Sequence, residues 1–337
     1  MIDIWEETRE SIKKNLIPLS IVWELTRRCN LNCIHCYNLK DEANLSFSEI
    51  RKIAFNLREA GTLILTLTGG EIFIREDILD VLFFLKGLGF DLKIITNATL
   101  IDNFLAERLK EIYPSEIGIS LYGASSLVHE KITRGAGSFD KTLEAVKVLK
   151  EKGLAVHIKC TLMRENFKEY PKIIELANKL GVNYIIDPII SPKDNGSLEV
   201  LSHRLSRKEL RSFYWKEFDK IEDFDNSQIC DAGFNFGAIS AEGFGYPCIQ
   251  LPLKVGEATK ESFKDIWYNS ESLKEFREKF TKEPNQCRNC SLYSYCSRCP
   301  GLSFLEKKDP FSSYSMACLI AKIYKEYKEN YGVRLQK

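Results

Sequence analysis

The sequence predicts an α/β fold: a partial (β/α)6 barrel followed by a small Cys-rich C-terminal domain. Three observations predict it. Between residues 20 and 190, short β-branched and Leu-rich runs alternate six times with segments of helical period. Those runs are nearly all apolar rather than alternating, the pattern of parallel strands covered by helices. Beyond residue 230 the character changes, and seven of the eleven cysteines crowd among Gly and Pro.

The elements follow in order. Residues 1–19 form an N-terminal extension whose Trp5–Leu16 stretch is amphipathic and ends at Pro18. Ser20–Leu25 is the first expected strand. Ser46–Ala60 has helical period, with Ser46 suited to accept the free N–H groups of the first turn. Strands at Leu63–Thr68, Asp91–Thr96, Glu116–Leu121, Leu154–Met163 and Val182–Ile190 alternate with helices at Ile78–Leu88, Ile101–Ile112, Phe139–Lys152 and Tyr170–Leu180. The polar turn Ser191–Gly196 marks the exit from this core at residue 190. A bridging segment, 191–229, contains an expected helix at Leu205–Ile221. The Cys-rich domain, 230–337, ends in a Lys/Glu/Tyr-rich helix at Met316–Tyr331.

At 337 residues, 44% hydrophobic and 28% charged, the chain has the composition of a globular protein with a large domain and a smaller one. A formal net charge of +1 gives no electrostatic footprint for nucleic acid or an anionic membrane. With no apolar run of transmembrane length and no leader pattern at Met1–Ile21, a cytoplasmic location is expected. Bunched cysteines in that compartment favour metal ligation over disulfides. Only four His (35, 129, 157 and 203) leave little material for a His-rich hydrolase site.

The run Glu24-Leu-Thr-Arg-Arg-Cys29-Asn-Leu-Asn-Cys33-Ile-His35-Cys36-Tyr37 carries three cysteines spaced C-x3-C-x2-C directly after the first strand. Three thiolates on a tight loop hold three irons of a cubane cluster and leave the fourth without a protein ligand, whereas most electron-transfer clusters use four Cys. An open position is what a metal needs to bind a substrate or cofactor directly. Three buried or zinc-binding thiols are the plainer alternative. Further motifs close the following strands: Thr68-Gly69-Gly70-Glu71, Thr96-Asn97-Ala98, Ile119-Ser120-Leu-Tyr-Gly123 and Thr133-Arg134-Gly-Ala-Gly-Ser-Phe139. Sites on parallel β/α sheets gather at the C-terminal ends of the strands. Taken singly, Gly69–Glu71 and Asn97 are also turn residues, and Arg134 is also a helix-surface residue.

With these motifs the chain resembles the radical S-adenosylmethionine (SAM) superfamily. The resemblance implies an open three-quarter barrel and a [4Fe–4S] cluster on Cys29, Cys33 and Cys36 whose open iron chelates SAM. It implies that Gly69, Gly70 and Glu71 receive the SAM amino group, although Phe73 stands where the family usually has Pro. Asn97 stands at a Thr-Asn-Gly motif, Ser120 at the ribose contact, and Arg134 is a fork for the methionyl carboxylate. His35 packs near the adenine, and Lys159 on the fifth strand is a candidate to point inward. The implied chemistry is reductive cleavage of SAM to methionine and a 5′-deoxyadenosyl radical, which abstracts hydrogen from an unactivated C–H. A reductant such as flavodoxin or ferredoxin is implied as a partner.

Cys230, the G-x4-C of Gly243–Cys248, Cys287-x2-Cys290-x5-Cys296-x2-Cys299 and Cys318 resemble the SPASM extension, with x2 in place of x3 before Cys299. By that resemblance Cys287, Cys290, Cys296 and Cys318 ligate an outer auxiliary cluster. Cys230, Cys248 and Cys299 ligate an inner one, giving three [4Fe–4S] clusters in all. The inner cluster then has an open iron or a non-Cys ligand, with Asp231 an oxygen candidate. One zinc on Cys287, Cys290, Cys296 and Cys299 is the competing arrangement, and it leaves Cys230, Cys248 and Cys318 unused. Cys160 is left over on the fifth strand, either as core or as a hydrogen-atom donor.

Ile249 occupies the position where sulfatase-maturating relatives have a basic Asp, which argues against that activity. The phrases around the motifs look like members that mature ribosomally made peptides by thioether or other cross-links. A peptide substrate, with a separate leader-binding protein, is therefore expected. Tetrapyrrole-tailoring enzymes of alternative haem or haem d1 synthesis, which remove propionate side-chain carbons, are the alternative. A non-catalytic iron–sulfur electron carrier is the reading from another class.

Overall fold

The computed structural model describes residues 4–39, 41–217, 230–282, 287 and 289–331. Six parallel strands come first: β1 Ser20–Thr26, β2 Ile64–Gly69, β3 Asp91–Thr96, β4 Glu116–Ser120, β5 Val156–Thr161 and β6 Asn183–Asp187. They lie side by side in chain order, and β6 does not pair back to β1, so the barrel is open. Helices α2 Phe47–Glu59, α3 Ile78–Gly87, α4 Asn103–Ile112, α5 Ser126–Thr133, α6 Ser138–Glu151 and α7 Tyr170–Leu180 make the crossovers, and α1 Ile4–Lys14 precedes the sheet.

Each strand has one face against the helices. Ile21, Trp23 and Leu25 on β1, Leu65 and Leu67 on β2, Leu92 and Ile94 on β3 and Ile117 and Ile119 on β4 are buried in one core with Ile50, Leu57, Val81 and Leu109 of the helices. Ser46 caps α2 as expected, and α4 starts two residues after the expected Ile101 because Asp102 caps it. Ser46 and Glu49 form a reciprocal capping box on α2, and Asp102 accepts from Leu105 N–H on α4. The sequence reading omitted α5. Its eight residues lie inside one connection, too short for a clear helical period.

The sheet does not stop at the barrel. β7 Phe236–Ile239 pairs in parallel with β1, and β8 Phe244–Tyr246 and β9 Gly256–Glu257 add antiparallel. The Cys-rich region thus grows on the β1 edge, beside the loop that follows β1. The bridging helix α8 Arg207–Glu217 is followed by α9 Phe263–Asn269, α10 Glu271–Lys282, α11 Pro300–Lys307 and α12 Ser315–Tyr331, and it shares a second core with α12, through Leu210, Phe213 and Tyr214 against Ile320, Ile323, Tyr324 and the preceding Tyr314. The remainder of the expected bridging helix, 218–221, lies outside the described residues. Among the described residues no helix is long and apolar enough to cross a membrane.

Candidate active site

The three-cysteine loop leaves β1 at Thr26 and is fixed from three sides. Asn32 and Ile34 donate backbone N–H groups to the carbonyls of Thr133 and Ile132 at the end of α5, each at 3.0 Å. Leu31 fills the notch at Gly135, where a Cβ would come within 2.3 Å of it. Asn97 Nδ2 donates to Asn30 Oδ1 at 3.0 Å, and Asn30 donates to Thr99 at 2.8 Å.

The tightest contact is with the Gly69–Gly70 turn. Gly70 N–H donates to Thr26 O at 2.8 Å, and Glu71 N–H to Arg28 O at 2.9 Å. A Cβ on Gly69 would lie 2.1 Å from Thr26 O, and one on Gly70 2.1 Å from Arg28 O. The glycines therefore bring two backbones together, and they also line the cavity beside the loop. Arg75 locks the same turn. Its guanidinium donates to the carbonyls of Leu25 and Leu45 at 2.9 and 3.0 Å and forms a two-point pair with Asp77.

Glu71 is placed differently from the expectation of a SAM amino contact. Its carboxylate is 1% exposed and is not part of the cavity lining. Thr96 Oγ1 donates to both oxygens at 2.8 Å, Asn97 N–H donates at 2.7 Å and Phe73 N–H at 3.1 Å. Burial raises its pKa and these donors work against the rise. Glu71 ties the β2 turn to the end of β3. Arg134 also departs from the expectation. It is exposed, lies outside the cavity lining and occupies the left-handed C-cap of α5 at φ 53°. Position 98, often Gly in the resembled motif, is Ala98 at φ 61°, so a left-handed turn persists here without glycine.

The other candidates meet in one cavity of about 390 Å³ at the C-terminal strand ends. Cys29, Cys33, Cys36, His35, Gly69, Gly70, Asn97, Ser120, Lys159 and Cys160 all line it. Leu31 N–H approaches Cys29 Sγ at 3.5 Å and Asn97 Nδ2 at 3.9 Å, donors suited to a thiolate. His35 meets the Tyr122 ring edge-on at 4.6 Å, and the Tyr122 hydroxyl bonds Ser120. Lys159 does point inward. Its stem lies over Gly118, where a Cβ would come 2.5 Å from Lys159 Cε, and its Nζ reaches Glu116 at 3.1 Å. Lys93 reaches the same carboxylate at 3.6 Å.

Cys160 is 2% exposed, and burial pushes its thiol up to about 12, with Asp187 adding to the rise. Asn166 Nδ2 stands 3.6 Å from its sulfur. The sequence reading missed Tyr37, Tyr122, His129 and Gln250 in the lining. Tyr37 was in plain view beside Cys36; nothing local marked Gln250.

None of the eleven cysteines forms a disulfide. In the C-terminal region, burial raises Cys248 to about 12, and Cys230 and Cys299 add to that rise as neighbouring charges. Burial likewise raises Cys296 to about 11, with Cys318, Cys287 and Cys290 as its neighbours. The thiols thus stand in two sets, three and four. Cys299 stands at the N-cap position of α11 Pro300–Lys307; burial raises its thiol pKa, and the N–H groups of Leu302 and Gly301 work against the rise. Asp231 is engaged elsewhere, 2.9 Å from Lys13 Nζ.

Among the described residues no three His, Cys, Asp or Glu side chains are gathered tightly enough to ligate one ion. Grouped thiols that receive backbone N–H groups, Leu31 to Cys29, Ala232 to Cys230 and Leu292 to Cys290, are the donor chemistry an iron–sulfur cluster takes.

Comparison with known proteins agrees with this geometry. The radical SAM superfamily model matches residues 23–177, and the SPASM iron–sulfur cluster-binding domain model matches 230–291. The chain belongs to the radical SAM superfamily. It is a radical SAM enzyme with a SPASM domain, and binding of SAM and iron–sulfur clusters comes with that membership. It is 25% identical to the AdoMet-dependent heme synthase of Methanosarcina barkeri (strain Fusaro / DSM 804), over 87% of this chain and 94% of that protein. It is 26% identical to the antilisterial bacteriocin subtilosin biosynthesis protein AlbA of Bacillus subtilis (strain 168), over 84% and 67%. Among solved structures, Streptococcus suis SuiB bound to precursor peptide SuiA aligns with a TM-score of 0.72 at 18% identity, over 93% of this chain and 80% of SuiB.

Proposed function

We propose that this radical SAM enzyme matures a cysteine-bearing peptide, with cross-linking through sulfur as its reaction. One observation carries the reading. The loop after Cys248 puts Gln250 into the same cavity as Cys29, Cys33 and Cys36, so the three-thiol set borders the radical-forming site. A three-thiol cluster has one iron for an outside ligand. A peptide thiolate is the soft donor such iron prefers, whereas a propionate carboxylate is hard. AlbA, named for biosynthesis of a bacteriocin, and SuiB, solved with a precursor peptide, support the same direction.

When bound, SAM and its cluster supply homolytic C–S cleavage and hydrogen-atom abstraction. The chain supplies the rest. Cys29, Cys33 and Cys36 hold the cluster, and Gly69, Gly70, Asn97, Ser120 and His35 border the side where SAM lies. Arg134, exposed in this structure, reaches the site only if its side chain turns inward. Cys160 belongs to the buried core with Val156 and Ile158, and its thiol, pushed up by burial, stays protonated there. Cys230, Cys248 and Cys299 hold the inner auxiliary cluster, and Cys287, Cys290, Cys296 and Cys318 the outer one. The cavity of about 390 Å³ lies near the small end of the roughly 300–1,000 Å³ typical of ligand sites.

The test is anaerobic incubation with SAM, dithionite and a short Cys-rich peptide encoded beside the gene. Formation of 5′-deoxyadenosine with loss of two hydrogens from the peptide supports the reading. Absence of any 5′-deoxyadenosine sinks radical cleavage itself. A second reading, tetrapyrrole tailoring, is favoured by two features. The heme synthase relative spans nearly its whole length, and Lys93 and Lys159 share one carboxylate in the barrel, leaving a positive charge suited to a propionate. Release of carbon dioxide from iron–coproporphyrin III, with no change in any peptide, would establish that reading instead.

A further inference from the structure

Gln250 stands where the two metal regions meet. Its Oε1 lies 3.6 Å from the Cys299 thiol. Its backbone N–H donates to Cys248, so one short loop carries both a ligand cysteine and this carboxamide. Its side chain also lines the cavity that contains Cys29, Cys33 and Cys36. The loop cannot drift. α11 crosses it at Gly301, where a Cβ would come 2.5 Å from the Gln250 carbonyl oxygen. The neighbouring carboxylate, Asp231, is held by Lys13 at 2.9 Å. Gln250 is an oxygen donor that faces both Cys299 and the cavity; Asp187, which lines the same cavity and acts on Cys299 as a charge, has one oxygen taken by the Ile189 N–H at 2.9 Å.

We propose that the Gln250 carboxamide oxygen occupies the open corner of the inner auxiliary cluster at rest and gives way to a thiolate arriving from the cavity. This rests on the reading that Cys230, Cys248 and Cys299 hold a cluster. A neutral amide oxygen is a hard, weak ligand for iron that prefers sulfur. It keeps water off the metal without competing strongly with a thiolate. The exchange balances without redox change: the incoming thiol loses its proton to solvent, an Fe–S bond forms and the Fe–O bond to Gln250 breaks.

The experiment uses full-length protein carrying Cys29/Cys33/Cys36→Ala, reconstituted anaerobically, so that only C-terminal clusters contribute to the EPR spectrum of the reduced state. 2-Mercaptoethanol is the titrated probe. A corner blocked about nine-tenths of the time weakens an incoming ligand about tenfold. Gln250→Ala should therefore keep its iron and lower the half-saturating thiol concentration about tenfold. Gln250→Cys should show altered g values without added thiol and no response to it. Gln250→Asn, one methylene too short, should follow Gln250→Ala and serves if the Cys variant does not fold. Identical lineshape and identical thiol response in the parent and Gln250→Ala would overturn the proposal. Iron analysis of Cys230/Cys248/Cys299→Ala separates the two levels: unchanged C-terminal iron there removes the inner cluster itself, while lost iron with no Gln250 effect removes only the role of Gln250.

Discussion

Gly70→Ala is the sharpest test of how the site is built. Gly70 has no positive φ, so its importance is steric alone. The added Cβ would lie 2.1 Å from Arg28 O, 2.6 Å from Arg28 C and 2.7 Å from Arg27 O, all backbone atoms one residue or two before Cys29. Backbone cannot rotate away as a side-chain tip does, so the turn must separate from the cysteine loop. Overpacking of this kind costs about 1–3 kcal/mol. The bonds Gly70 N–H to Thr26 O and Glu71 N–H to Arg28 O are then stretched or lost, at about 1 kcal/mol each. The total is about 3–5 kcal/mol, a large part of the roughly 5–15 kcal/mol that holds a typical domain together. Urea unfolding of the metal-free protein reads the stability, and iron content after reconstitution reads the loop. Gly70→Ala should lower the midpoint strongly and lose the iron of the Cys29 loop while keeping the C-terminal iron. Gly87→Ala, at the end of α3 with nothing within 4 Å, is the control and should be neutral or mildly stabilising. Equal stability and equal iron in the two variants would refute the claim that the glycine pair exists to bring the two backbones together.

Three more outcomes follow from the same structure. Glu24 is 2% exposed, and burial first, then Asp194, raises its pKa from 4.5 to about 7. The folded state therefore keeps a proton that the unfolded state releases. Stability should fall as pH rises from about 4.5 to about 7 and level off above, by about 3 kcal/mol in all; urea midpoints should show this slope flattened in Glu24→Gln. Arg75→Met leaves the carbonyls of Leu25 and Leu45 and the Asp77 carboxylate without their donor, and should cost about 3–5 kcal/mol in the same unfolding assay. Cys248 and Cys296 are raised to about 12 and 11 by burial, so they enter a cluster only by losing protons. Reconstitution of C-terminal iron, followed by absorbance, should weaken steeply as pH is lowered from 8.5 to 6.5, and a flat profile would count against these thiols as ligands.

Much of this protein was legible in the chain because its signals are local. Strand and helix order across residues 20–190 follows from apolar period and caps. β3 and α7 begin and end where the pattern puts them, and Ser46 caps α2 by the reciprocal bonding its spacing with Glu49 implies. The three cysteines after β1 reach the strand-end cavity because a β/α crossover leaves them there. Ser120 and Asn97 reach it for the same reason.

Side-chain directions and partners distant in sequence were set by packing in three dimensions. A motif places a residue at a strand end but does not aim its side chain. Glu71 turned to Thr96 and Asn97, 25 and 26 residues on, because a buried carboxylate needs donors and these were the nearest. Arg134 became a left-handed helix cap and stayed exposed. The joining of β7 to β1 pairs residues more than two hundred positions apart, and no local period carries such a register. Gln250 had no motif at all; its place beside Cys299 and the cavity comes from its loop packing against α11 at Gly301. Sequence fixes which groups a segment offers, by short-range sterics and period. Which of them face one another is set by packing, where each buried polar group must find its partner and each close approach must find a glycine.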